Sequence, residues 1–238
     1  GLGDVYKRQY HAWTEINVPQ RPFEIENVDT VTVPLAQSGY TTEYLRYRIT
    51  INDRPNETNY YRIVIDKQTT LWGYNHEEGG DDYIYWTKHS YNFIGREDVV
   101  LTDGQPTTGD DEDNGLFDTA KNIYGVFDDT RFRNTSYTMT VYNNTKIETG
   151  SDSGYFSGMD VIIRLMSITE TEYYYLKALN LVDSDAYDET INEPIKYPSN
   201  VHGGTGMVGI STEVTQTIHI ISCSHSKGNL APPVHVYQ

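Results

Sequence analysis

Apolar and polar positions alternate over short stretches along most of this chain. Leu45, Tyr47, Ile49 and Ile51 alternate with Tyr44, Arg46, Arg48 and Thr50. A period of two turns the first set inward and the arginines outward in an extended strand. Beyond a polar turn, Asp53–Asn59, the alternation returns with Tyr61, Ile63 and Ile65 on one side, which predicts a two-stranded hairpin. A weaker strand pattern runs over Phe23–Pro34. Short strands are predicted at Thr70–Tyr74 and Tyr83–Thr87, and Tyr137, Met139 and Val141 point inward from a further one. Val161–Met166, apolar except for Arg164, predicts another strand, and Thr212–Ser222 closes the pattern with Ile218 and Ile220 on one face and His219 and Ile221 on the other.

One stretch changes period. Ser167–Leu181 carries helix signals: Thr169 and Glu172 stand at capping-box spacing, and Ile168 and Tyr173 at the staple positions. Glu170 and Glu172 suit the positive end of the helix dipole. Tyr175, Leu176 and Leu179 share a face, while Glu170, Lys177 and Asn180 form a narrow polar stripe. Such a helix packs on a sheet, with Tyr173, Tyr174 and Tyr175 as core rings whose hydroxyls sit at the rim. The pattern is that of a mainly β protein, an antiparallel β-sandwich of immunoglobulin-like architecture with one main α-helix near residues 168–181.

Charge narrows the function classes. The chain has 238 residues, with 34 acidic against 18 basic and a formal charge of −16. This balance repels phosphate backbones and argues against nucleic acid as a partner. No run of 18 apolar residues exists to span a membrane as a helix. The single cysteine, Cys223, permits neither an internal disulfide nor a thiolate cluster, and His219, Cys223 and His225 lack a well-spaced fourth metal ligand.

The acidic stretch Thr102–Gly115 is a solvated loop on this reading, with Asp110, Asp111 and Asp113 as candidate calcium ligands and Asp128 and Asp129 as neighbours that could join them. It departs from the EF-hand pattern because Glu112 holds the third position and Lys121 the twelfth. Gly204–Gly209 matches G-x-G-x-x-G, yet two prolines precede it and β-type residues follow. Its glycines therefore serve a tight turn entering a strand. Neither a G-x-S-x-G elbow nor an H-E-x-x-H helix occurs. Ser211, His219 and a loop aspartate could form a triad, as residues of most chains could, and a non-enzymatic protein is expected, with no catalytic residue and no bound cofactor. Trp72, Tyr74, Tyr83, Tyr85 and Trp86 alternate as core positions do; the competing reading makes them a sugar-stacking surface. The sequons at Asn56, Asn134 and Asn143 mark exposed turns.

Ends and boundaries follow composition. Gly1–Gln9 reads as a translated sequencing adapter, and residues 10–22, with Pro19 and Pro22, as the remnant of a preceding domain and its linker. Residues 23–222 form the sandwich domain and 223–238 a loose tail.

The strand followed by "SITETEYYYLKAL", a polar linker and "EPIKYPSNVHGGTGMVGI" resembles the C-terminal half of a family of Bacteroidota surface lipoproteins, domain of unknown function four-two-four-nine. The resemblance spans roughly Trp13–Ile221 and is specific over Val161–Gly209; Met207–Ile210 stands where an aromatic is common. It implies a β-sandwich, an outer-membrane location through a lipid anchor not contained in this chain, and a TonB-dependent outer-membrane receptor as partner. The expected role is accessory or substrate capture for that transporter. The alternative is a free-standing carbohydrate-binding or adhesion module, with a hydrolase ranked below both. The resemblance assigns no catalytic residue.

Overall fold

The computed structural model describes residues 11–37, 40–75, 82–91, 93, 95, 98–104, 122–144, 155–183, 195–220 and 236–237. Two antiparallel sheets pack as a sandwich and carry one helix, as the sequence pattern implies. The smaller sheet holds β1 (Asn27–Gln37), β2 (Tyr40–Asn52) and β6 (Ser136–Asn144), in the order β1-β2-β6. The larger holds β3 (Tyr60–Asn75), β4 (Asp82–Ser90), β5 (Val126–Asp128), β7 (Tyr155–Ile168), β8 (Thr212–Ile220) and β9 (Val236–Tyr237). Its order is β4-β3-β7-β8-β9, with β5 beside β3.

The core lies between the sheets. Leu45, Tyr47, Ile49 and Ile51 come from β2, Met139 and Val141 from β6, Tyr61, Ile63 and Ile65 from β3, and Val161, Ile163 and Leu165 from β7; all of them are at most 1% exposed. Burying each aliphatic side chain contributes about 1.5–3 kcal/mol, which orients these four strands toward the core.

The expected hairpin of Tyr44–Asn52 with Tyr60–Asp66 does not form. β2 pairs with β1 and β6, whereas β3 pairs with β4, β5 and β7. The two strands face one another across the core, and alternation fixes which face is buried but not which neighbour supplies the hydrogen bonds. Tyr44, expected outward, is only 4% exposed. The two short strands expected at Tyr60–Asp66 and Thr70–Tyr74 are one strand of 16 residues with a register shift at Thr70/Leu71. Polar Lys67, Gln68 and Thr69 interrupt the pattern, yet ladders to β7 and β4 run straight through them.

Three buried carboxylates fix the connections. Asp53 accepts from the Tyr61 hydroxyl (3.1 Å) and the Asn134 amide (2.8 Å). Asp129, fully buried, accepts from the Asn59 amide (2.7 Å) and Arg133 (3.2 Å). Asp98 accepts from the Val100 and Thr140 amides and the Tyr137 hydroxyl. Asn56 and Asn134, at φ 66° and 61°, sit in exposed turns as expected, but Asn143 lies within β6 at 2% exposure. A sequon marks a hydrophilic tripeptide, and the β6 register buries it by setting Asn143 opposite Leu45 of the core.

The helix α1 (Glu170–Val182) starts where its caps predict, with the Thr169 hydroxyl accepting from the Glu172 amide at 3.2 Å. Only that half of the capping box forms. The Glu172 carboxylate turns instead toward the Ile210 amide and the backbone of Gly209. Ile168, Tyr173 and Leu176 pack with Val126 against the larger sheet on the side away from the core. Asn180, expected on the polar stripe, is 4% exposed. It accepts from the Tyr124 amide and donates to Asn122, tying the helix to the approach of β5. Among the described residues no helix is long and apolar enough to cross a membrane.

Candidate binding surface

Because Tyr61, Ile63 and Ile65 turn inward, Arg62, Val64, Asp66 and Gln68 turn outward, onto the side of the larger sheet that α1 covers at one end. Strand register then aligns polar residues across four strands. Gln68 stands opposite His89 of β4 on one side and Asp160 of β7 on the other, and Asp160 stands opposite His219 of β8. The row His89–Gln68–Asp160–His219 is three strand spacings long, roughly 14 Å.

Its carboxylates are engaged. Asp66 is 3% exposed; it accepts from Gln68 Nε2 at 2.7 Å and meets His89 Nδ1 at 3.0 Å. Asp160 meets His219 Nδ1 at 2.7 Å. An ionised carboxylate only accepts, so each Nδ1 carries the hydrogen that meets its carboxylate, and Nε2 of each ring is left for another partner. Arg164 donates to Glu213 at 3.2 Å on the same face. Each His–Asp pair supplies two donors to a metal where a closed zinc site takes four. Among the described residues no group of three or more His, Cys, Asp or Glu is placed to hold a metal ion.

Aromatic rings border this row. Tyr85 is 66% and Tyr91 56% exposed, and the Tyr91 and His89 rings stack with centroids 6.1 Å apart. The core assignment of the aromatics is thus wrong for Tyr85. Register sets Trp72 opposite Tyr85 and Leu71 opposite Trp86, and it is Leu71, fully buried, that faces the core. Trp72 and Trp86 are partly buried; the side chains of Tyr74 and Tyr83 lie outside the described residues. Where the face meets the approach to β5, a cavity of about 380 Å³ opens, lined by Arg62, Val64, Tyr91, Phe93, Tyr124 and Met166.

The glycine-rich motif lies elsewhere and is structural. The Asn200 side chain braces its loop, donating to the Val208 carbonyl and accepting from the Val208 amide, while Ser199 Oγ accepts from the Gly206 amide. Gly203 (φ 77°) and Gly206 (φ 137°) adopt backbone angles that side chains disfavour, and a Cβ at Gly209 would lie 2.8 Å from the Glu172 carboxyl. The loop feeds β8 rather than a helix, with a carboxylate against its last glycine, so no phosphate cradle exists there. Trp13 bridges His202 through both backbone bonds and stacks on its ring at 4.2 Å, which fastens the segment after residue 10 to this loop.

The other candidates separate. Asp110, Asp111 and Asp113 lie outside the described residues, as do Cys223 and His225. Asp129 is taken up by Asn59 and Arg133, and Asp128 accepts from Tyr173. Ser211 and His219 are eight residues apart along an extended chain, roughly 26 Å, too far to share a proton. Sequence reasoning missed Asp66, Gln68 and Asp160, whose significance comes from register alone.

The family model described as Domain of unknown function (DUF4249) matches residues 6–217. No curated protein matches the chain. The match runs from before Trp13 to within β8 and takes in both sheets, the helix and the glycine loop, and the chain belongs to the DUF4249 family.

Proposed function

We propose that this protein is a non-enzymatic recognition protein of the bacterial outer surface, lipid-anchored at the outer membrane, that serves a TonB-dependent transporter as an accessory or substrate-capture partner. The resemblance to Bacteroidota surface lipoproteins supports the location and the partner. The observation that carries the recognition role is the outward face of the larger sheet. Its polar side chains pair with one another across strands and its tyrosines stand in solvent, although the core is complete without them. Rigid strands carrying such groups suit binding, because the side chains are positioned before a ligand arrives.

Affinity isolation of the full protein from detergent-solubilised outer membranes of its native host tests this. A TonB-dependent receptor recovered in stoichiometric amount is the expected result, and repeated isolation without a receptor contradicts it. The exposure of Tyr85 favours a second reading, a free-standing carbohydrate-binding or adhesion module. That reading predicts ligand binding with no receptor bound.

A further inference from the structure

The proposed recognition role leaves open what is recognised, and the exposed strip of β4 narrows the chemistry. Tyr85, Thr87, His89 and Tyr91 alternate onto one side of the chain, with Thr70 and Gln68 of β3 directly opposite Thr87 and His89. What an incoming molecule meets there is two tyrosine rings and their hydroxyls, a threonine hydroxyl and an imidazole edge. The adjoining carboxylate of Asp66 is almost wholly buried and turned to His89 and Gln68, so it orients these groups rather than offering a charge. The six residues of the strip include no lysine or arginine, and the chain carries a formal charge of −16. An anion would gain no ion pair from these six residues; Arg62, in the cavity beside Tyr91, donates its Nε to the Tyr124 carbonyl, and the field of the whole chain is repulsive. A wholly apolar ligand would strip water from the imidazole, amide and hydroxyl groups without replacing their hydrogen bonds.

The ligand that matches has apolar faces for ring stacking and hydroxyls that both donate and accept. We propose that the β4 strip binds a neutral oligosaccharide, with Tyr85 and Tyr91 stacking on its rings and His89 and Gln68 hydrogen-bonding its hydroxyls. Tyr85 and Tyr91 are six residues apart, roughly 20 Å along an extended chain, so the site favours a chain of sugars over a single one. The inference rests on the recognition role and names its substrate class.

Isothermal titration of the full chain with maltohexaose, cellohexaose, xylohexaose and mannohexaose tests it, using the wild type, Tyr85→Ala and Tyr174→Ala. Tyr174 is 51% exposed on the helix and controls for general loss of surface aromatics. Binding of at least one hexasaccharide is expected, weakened about tenfold or more by Tyr85→Ala and unchanged by Tyr174→Ala, with both variants unfolding at the wild-type temperature. Absence of binding to all four sugars overturns the inference, and so does full affinity in Tyr85→Ala. Either result leaves the receptor partnership standing if the receptor is still co-isolated. Sugar binding without a receptor instead removes the partnership and keeps the site.

Discussion

The two sides of β3 obey different rules. On the inner side Tyr61, Ile63, Ile65 and Leu71 are at most 1% exposed, and the first three pack into one core with residues of β2, β6 and β7. On the outer side Asp66 and Gln68 join His89, Asp160 and His219 in a row of paired polar groups. Inner residues are fixed by the free energy of burial, which any apolar side chain of the right shape can supply. Outer residues are specific in chemistry, and folding gives no reason for two His–Asp pairs in one row. Residues that stability does not require and that chemistry singles out are where recognition is to be sought.

The contrast breaks if inner-face truncation is mild. Ile163→Ala removes a fully buried side chain between the sheets and is expected to cost about 4 kcal/mol in denaturant unfolding, through lost burial and the cavity left behind. Asp129→Ala leaves the Asn59 amide without its partner in a buried turn, and a loss of about 3 kcal/mol is expected in the same assay. That places the turn carboxylates with the core rather than with the outer face.

Alkaline pH sharpens the division. Burial, with nearby carboxylates, pushes the Tyr61, Tyr137 and Tyr173 hydroxyls far above the ordinary tyrosine value. The unfolded chain releases these protons near pH 10 while the folded chain retains them. Their contribution is therefore fully present below about pH 10 and lost as pH rises further. For Tyr61 alone the slope approaches about 1.4 kcal/mol per pH unit. Melting temperatures that hold to pH 9 and fall between pH 10 and 11 are the expected outcome.

A smaller effect of opposite sign is expected where a carboxylate is buried to shape a loop. Burial raises the Glu172 carboxyl above its usual range, and Glu172 Oε2 has no hydrogen-bond partner. A raised carboxyl favours the folded state when protonated, and that advantage is lost as pH rises through its folded pKa. At pH 7 the charge is a liability, so Glu172→Gln should raise stability by up to about 1 kcal/mol in thermal unfolding.

The sequence is legible where a single strand or helix decides the outcome. Alternation placed Leu45 to Ile51 and Tyr61 to Ile65 in the core, and Thr169 marked the helix start through its own side chain. It is silent where two distant strands decide. Nothing near Tyr60 states that β3 leaves the sheet of β2, and nothing near Gln68 states that Asp160, 92 positions later, lies beside it. The outer face emerges from register, which is set by the whole sheet. Tyr85 was misplaced for the same reason: an aromatic at alternating spacing suits either side of a strand, and only the neighbour opposite reveals which side is wet.

The central claim is that the outer face serves recognition and the fold does without it. The most direct test is the thermal unfolding midpoint of the Tyr85→Ala, His219→Ala double variant against wild type at pH 7. Both side chains are exposed, and the account predicts a midpoint within about 3 °C of wild type. A fall of more than roughly 8 °C would make the polar face a structural element and contradict the account.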